Sequence, residues 1–321
     1  RDERTVLPMS DTPTLPYITQ DTVLEHVSMA DAVDALQDAL RAGLDPADAP
    51  ERTIVDLDAG GLLLMPGQAG DYAGIKVVTA APGNPALGVP KIQGIYLLFD
   101  RATLSPLAVM DGAALTSLRT PALSALGVRH LCSPGAQNVL VFGTGPQAHQ
   151  HVHAVAAVRE VGSVTVIGRT SEKTSALVDT LVADGFNAKV GESAEVEVPK
   201  ADLVLCCTSS RDPLFDGALV RNDAVVVAMG SHEPELRETD DTLLRRSTVY
   251  VEDAATAMRE AGDVIIAVDN GTITKSSLHS LRDLVVNGPM AGDGPAFYKT
   301  VGMGWQDLVV ADVAYQRITQ G

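Results

Sequence analysis

Five short apolar runs recur between residues 138 and 251: "NVLVFG", "SVTVIG", "ADLVLCCT", "DAVVVAMG" and "TVYVED". No other feature limits the possible folds as strongly. The runs are continuous in Val, Leu and Ile and do not alternate with polar residues, so both faces of each must be covered. Helical patterns separate the first three, "AHQHVHAVAAVREV" and then "SEKTSALVDTLVADG", and the second of these ends on a glycine. Strands buried on both faces and joined by helices form a parallel sheet. The expected fold is therefore α/β, with a doubly wound Rossmann dinucleotide-binding domain over residues 126–302.

The preceding residues follow a different plan. "SMADAVDALQDALRAGL" places Met29, Val33, Leu36 and Leu40 at helical spacing. The extended pieces "RTIVDLD", "GLLLMPGQ", "YAGIKVVTA", "IQGIYLLFD" and "LSPLAVMDG" follow, punctuated by Gly and Pro. "GAALTSLRTPALSALGVRHLC" reads as a helix with Pro121 near an end or at a kink. Residues 1–125 thus predict a separate α+β domain for substrate binding and dimerisation, and the amphipathic tail 303–321 is expected to fold back onto it. The first sixteen residues, polar and Pro-containing, read as a loose leader.

Charge and cysteine content exclude some functions. The net charge of −17 leaves no basic stripe for nucleic acid, and an anionic substrate would need a local cluster of cations. No apolar run is long enough to span a membrane. Cys132, Cys206 and Cys207 form no CxxC pair, as expected for packing cysteines in a reducing cytoplasm.

"GTGPQA" is a G-x-G-x-x-A loop between a strand and a helix. Gly143 permits the tight turn, Gly145 lets backbone approach a pyrophosphate, and Ala148 allows close helix packing. The next strand ends in "IGRTSEK", with no carboxylate for a ribose. Arg169 and Thr170 suit a 2′-phosphate, which predicts NADP(H), with NAD as the alternative; the bland reading of Arg169 is a solvated loop residue. His149, His151 and His153 raise the question of a metal. His149 and His153 share a helix face, but no carboxylate partner is evident, so no metal is expected.

Arg52, Lys76 and Arg119 each sit among apolar or small residues. Such cations read either as a cradle for a substrate carboxylate or as structural ion pairs. The segment "KVVTAAPGNPALGVPKIQGIYLLFDRATLSPLAVMDGAALTSLRTPALSA", with "GTGPQA", "ADLVLCCTSS" and "YKTVGMGWQDLVVA", resembles the ornithine cyclodeaminase/mu-crystallin family from about residue 50 to about 315.

That resemblance implies a homodimer and a set of roles. Arg52, Lys76 and Arg119 match substrate-carboxylate residues, with Lys76 also placed to transfer a proton or contact an imine. Gly143, Thr144, Gly145, Pro146, Gln147, Thr208, Ser209, Met229 and Gly230 fall to the cofactor, and Val301 and Gly302 to its nicotinamide end. Met65, Lys91, Met229 and Met303 are candidate pocket walls, and Lys91 could favour a second acidic group on the substrate. The family's cyclodeaminases carry an aspartate after the fourth Rossmann strand, where "AMGSHEPELRET" has His232. His232 is either a titrating group that assists at the amine or a bystander in the loop. Its presence disfavours ornithine cyclisation and favours NADPH-dependent reduction of an α-imino acid (ketimine), Δ1-pyrroline-2-carboxylate or Δ1-piperideine-2-carboxylate. The rival readings are an ornithine cyclodeaminase-type lyase with recycled NAD, an alanine or N-alkyl amino-acid dehydrogenase, and a non-catalytic binding protein.

Overall fold

The computed structural model describes residues 14–135 and 137–320; most of the expected leader lies outside them. The chain opens with strand β1 (Tyr17–Ile18) and helices α1 (Gln20–His26) and α2 (Met29–Arg41). A reciprocal capping box between Ser28 and Asp31 starts α2, and Val33, Leu36 and Leu40 are fully buried along one face, as their spacing predicts. The strands β2 (Thr53–Leu57), β3 (Gly60–Ala69), β4 (Tyr72–Ala80), β5 (Ile92–Asp100) and β6 (Pro106–Asp111) follow. They form an antiparallel ladder, which β1 joins in parallel, giving the order β1-β6-β5-β4-β3-β2.

Helix α3 (Gly112–Leu131) leads out of this sheet. Pro121 is the tenth of its twenty residues, so of the two expected placements, an end or a kink, the end is excluded. The helix continues through it. Residues 118–128 of α3 are all buried, and packing on both sides outweighs the loss of one backbone hydrogen bond.

The second sheet comprises β7 (Gln137–Phe142), β8 (Val161–Ile167), β9 (Ala188–Val190), β10 (Leu203–Cys206), β11 (Val225–Ala228), β12 (Thr248–Val251), β13 (Leu278–Ser280) and β14 (Ala296–Lys299). All its pairings are parallel, in the order β13-β12-β14-β11-β10-β7-β8-β9. The connecting helices are α4 (Pro146–Ala156), α5 (Ser171–Ala183), α6 (Ala194–Glu197), α7 (Asp241–Arg246), α8 (Ala254–Glu260), α9 (Gly262–Asp269) and α10 (Leu281–Asn287). The five apolar runs are β7, β8, β10, β11 and β12. Strand β14 was not among them, yet it lies between β11 and β12. The strand order reverses at β7 and β10, which opens a crevice beyond their carboxyl ends. Helix α11 (Gly304–Gln320) packs against β3, β4, α2 and α3, so the tail lies on the first sheet.

Helix α3 also touches β11 and β14 and so spans both sheets. A Cβ on Gly127 would press into the ring of Tyr298 on β14. Gly127→Ala is expected to lower stability by about 1–3 kcal/mol, as overpacking does. Urea unfolding followed by circular dichroism measures this, and an unchanged midpoint would mean that the contact yields freely.

Candidate active site

Lys76, in the middle of β4, is 1% exposed. Its Nζ donates to Asp307 Oδ1 at 2.9 Å and to Thr116 Oγ1 at 3.0 Å. Arg119 reaches the same oxygen from α3, Nε to Asp307 Oδ1 at 3.3 Å, and its Nη1 donates to Gln306 Oε1 at 3.1 Å. One buried carboxylate at the start of α11 thus holds both cations. An ammonium has three donors and a guanidinium five, so each cation keeps donors that these partners do not use. Burial, then the charge of Arg119, pushes the Lys76 pKa down to about 8, against the pull of Asp307. Two buried oxygens beside it, Asp307 Oδ2 and Tyr96 Oη, have no hydrogen-bond partner.

Arg52 completes the group from the loop before β2. Its guanidinium lies 2.8 Å from Glu260 and donates to the His232 carbonyl at 3.3 Å. Desolvation lowers its pKa somewhat despite Glu260 and Glu252. Arg52, Glu260, Gly302 and Met303 line one small cleft. All three cations are ion-paired to the protein, and of the three Arg52 also lines the cleft.

A second buried chain fixes the neighbouring backbone. Glu252 follows β12 and accepts from Val301 N at 2.6 Å and Gly302 N at 3.1 Å, and Gln306 donates to it at 2.5 Å. Gly302 has φ +86°, and a Cβ there would collide with the Arg119 guanidinium. Glu238, also buried, accepts from Thr208 N at 2.7 Å, Thr208 Oγ1 at 2.8 Å and Gly230 N at 2.8 Å. Burial raises its pKa to about 7, against the attraction of Lys299. Lys299 in turn pairs with Asp263 at 3.0 Å and donates to the Ser231 carbonyl at 2.6 Å. The loops after β10, β11 and β14 are thus tied together by buried carboxylates.

The glycine loop after β7 opens into the same crevice. Gly143 has φ +115°, and a Cβ on it would strike the Cys207 carbonyl. A Cβ on Gly145 would meet only open space, no side chain caps α4, and Gln147 Oε1 is buried without a partner. A bare helix N-terminus with open space before it fits a pyrophosphate. At the end of β8, Arg169 and Thr170 are exposed, and no carboxylate among the described residues bonds to Arg169. These residues fit a dinucleotide.

His232 lies in the loop after β11, with its backbone over Arg52. The residue is exposed, and partial desolvation, then Arg52, lowers its pKa. Lys91 is not brought to the cluster: its carbonyl bonds Ala81, five residues along the chain from Lys76, roughly 16 Å at strand rise. Met65 and Met303 are buried beside the cleft-lining segments, whereas Ser209 is exposed. A second surface hollow, lined by Asn138, Thr165, Lys189 and Lys200, is elsewhere, and both of its lysines pair with Glu197.

Sequence reasoning missed Asp307, Gln306, Glu252, Glu260 and Glu238. The signal for Asp307 was faint in "GWQDLVVA", a carboxylate in the first turn of an amphipathic helix, where an acidic residue is ordinary. The expectation that the histidines lack a carboxylate neighbour also fails. His149 Nε2 and His153 Nε2 both bond Asp184 Oδ2, at 2.7 and 3.0 Å, while His151 is buried against Ser124.

Known proteins resemble this chain along most of its length. A Δ1-pyrroline-2-carboxylate reductase of Bacillus cereus is 33% identical over 267 residues, 80% of this chain and 82% of its own. A solved Thermococcus litoralis Δ1-pyrroline-2-carboxylate reductase, in complex with NADH and L-proline, superposes with a TM-score of 0.87 at 25% identity, covering 95% of this chain and 98% of its own. An archaeal alanine dehydrogenase dimer with bound NAD gives the same TM-score at 27% identity, over 95% of this chain and 96% of its own. The family model for ornithine cyclodeaminase/mu-crystallin matches residues 17–321. The chain belongs to the ornithine cyclodeaminase/mu-crystallin family.

Proposed function

We propose that the protein reduces a cyclic α-imino acid, Δ1-pyrroline-2-carboxylate or Δ1-piperideine-2-carboxylate, to the cyclic L-amino acid, using NADPH. The observation that carries this reading is the Lys76–Asp307–Arg119 cluster, a dry cationic site with donors to spare beside the 301–302 backbone. Arg119 and Arg52 suit the two oxygens of a carboxylate. Lys76, held by Thr116 and Asp307, has one N–H left to give a proton to the imine nitrogen or to hold it there. A protonated imine carbon is the more electrophilic, and the lysine's lowered pKa makes the proton easier to transfer at neutral pH. When bound, a reduced nicotinamide supplies the hydride. Its dinucleotide is held by Gly143, Thr144, Gly145, Pro146 and Gln147 at the pyrophosphate, Thr208, Ser209, Met229 and Gly230 along the crevice, and Val301 and Gly302 at the nicotinamide end. Arg169 and Thr170 take the 2′-phosphate; the absence of a carboxylate bonded to Arg169 supports this.

His232 offers an imidazole of lowered pKa where the cyclodeaminases have a carboxylate, which supports reduction over cyclisation. The similarity to an alanine dehydrogenase keeps reductive amination of pyruvate as the second reading. We read the protein as a homodimer: Ile54, Leu57, Leu87 and Ile92, in or beside the strands of the first sheet, are 68, 53, 77 and 62% exposed, an apolar surface suited to a second copy. Its three cysteines are free, in keeping with a cytoplasmic location, and no helix among the described residues is long and apolar enough to cross a membrane.

Initial rates with NADPH and NADH over cyclic imino acids, pyruvate with ammonia or methylamine, and ornithine test the whole reading. NADPH oxidation with a cyclic imino acid is expected to dominate; ammonia release from ornithine without net NADPH oxidation would overturn it. Lys76→Ala should cut turnover by about two to four orders of magnitude, the usual reach of a positioned acid. With Lys76 titrating at about 8, kcat/KM should fall as pH rises above that value, because the proton is then lost. Lys76→Ala should lack this fall, whereas a decline due to the substrate's own titration would persist in the variant. Arg169→Asp should lower the NADPH-to-NADH preference by about tenfold or more, the size of a lost charge-assisted bond. An unchanged ratio would remove Arg169 from cofactor selection.

A further inference from the structure

Away from the cleft, three side chains converge on one point. His149 and His153 are one helical turn apart on the same face of α4. Both direct Nε2 at a single oxygen, Asp184 Oδ2, at 2.7 and 3.0 Å. The three candidate ligand atoms lie within 4.8 Å of one another. The imidazole rings are 4.7 Å apart, and Phe186 braces His153 edge-on at 5.0 Å. Two N–H groups sharing one acceptor oxygen is the arrangement a cation can take over. A tetrahedral ion with bonds of about 2.0–2.1 Å spaces its ligand atoms roughly 3.3 Å apart, so the two His–Asp pairs have to open by roughly 0.3–0.6 Å.

The surroundings favour positive charge. Asp184 is the C-cap of α5, and His153 is in the last turn of α4, so two helix C-termini turn their partial negative charge toward the group. Asp184 is held ionised by its bonds to His149 and His153. The chain as a whole carries −17, which concentrates cations at its surface.

We propose that His149, His153 and Asp184 form a binding site for a borderline-soft divalent cation, zinc being the best match, with water filling the remaining position. Two imidazoles and one carboxylate are a zinc ligand set, and the open fourth position is solvent-facing. On binding, each ring gives up the proton it carries on Nε2, to Nδ1 or to solvent, and gives the ion its Nε2 lone pair. Asp184 exchanges two accepted hydrogen bonds for one metal bond. The ion would join the end of α4 to the end of α5. His149, the nearer of the two imidazoles, is four residues beyond Gly145, about 6 Å along the helix, so the ion would sit about one turn from the glycine loop.

The test uses full-length protein without an affinity tag, stripped by a chelator and titrated with Zn2+ by calorimetry and with Co2+ by visible absorption. One equivalent per chain is expected, with the intense bands of a four-coordinate cobalt site. Asp184→Asn and His149→Gln should each weaken binding by at least about tenfold and abolish any zinc-induced rise in thermal midpoint. Circular dichroism of each variant checks that it is folded. Absence of saturable binding, or unchanged binding in the folded double variant His149→Gln/His153→Gln, would overturn the proposal. Either result would leave a plain His–Asp contact between two helices, with no bearing on the reductase reading.

Discussion

Everything around the cleft depends on Asp307. Its carboxylate is fully buried and accepts from Lys76 and Arg119 through the same oxygen. Removing one partner of a buried ion pair costs about 3–5 kcal/mol, because the other charge is left in a medium that cannot solvate it. Two cations around one carboxylate leave a local positive excess in a chain whose total charge is −17. A small anion approaching this protein meets repulsion over most of the surface and attraction at this point. Low dielectric then strengthens the attraction where water is excluded.

The carboxylate also sets the geometry of both halves. Lys76 comes from the first sheet, Arg119 from the helix between the sheets, and Asp307 from the returning tail. Arg119 continues through Gln306 to Glu252, which holds the Val301 and Gly302 amides at the end of β14. A charge on β4 is thereby linked by hydrogen bonds to the backbone at the carboxyl edge of the parallel sheet. The tail has to fold back for this chain to close, and its buried Trp305 and Leu308 supply the apolar contact that holds it there.

Much of this could be read from the residues. Period and composition identified β7, β8, β10, β11 and β12, because strands covered on both faces leave an uninterrupted apolar run. Strand β14 escaped notice because "AFYK" has none of the Val, Leu or Ile that mark the other runs and ends in a charge. Lys299 is tolerated in mid-sheet only because Asp263, thirty-six residues earlier, meets it. Asp184 was invisible for the same reason: it lies thirty-one and thirty-five residues from the histidines it joins. The cations stood out because a charge among apolar residues is anomalous locally. Their counter-charges did not, since Asp307 and Glu252 lie in segments whose polarity looks ordinary for a helix start or a strand end. Pro121 shows the limit from the other side: a strong local rule gave way to packing on both faces of α3.

His232 gives the site its direction. A carboxylate there would be a second base facing the amine, and a base is what cyclisation by attack on an imine requires. In its place stand an imidazole whose pKa is lowered by partial desolvation, then by Arg52, and a carbonyl that is tied to Arg52. In the proposed reaction the proton then comes from Lys76, whose ammonium Asp307 fixes and whose affinity for the proton burial, then Arg119, lowers. A single poised donor facing a substrate clamped at its carboxylate suits a reaction that consumes one proton and one hydride. It suits poorly a reaction that must move protons on and off an amine at two stages.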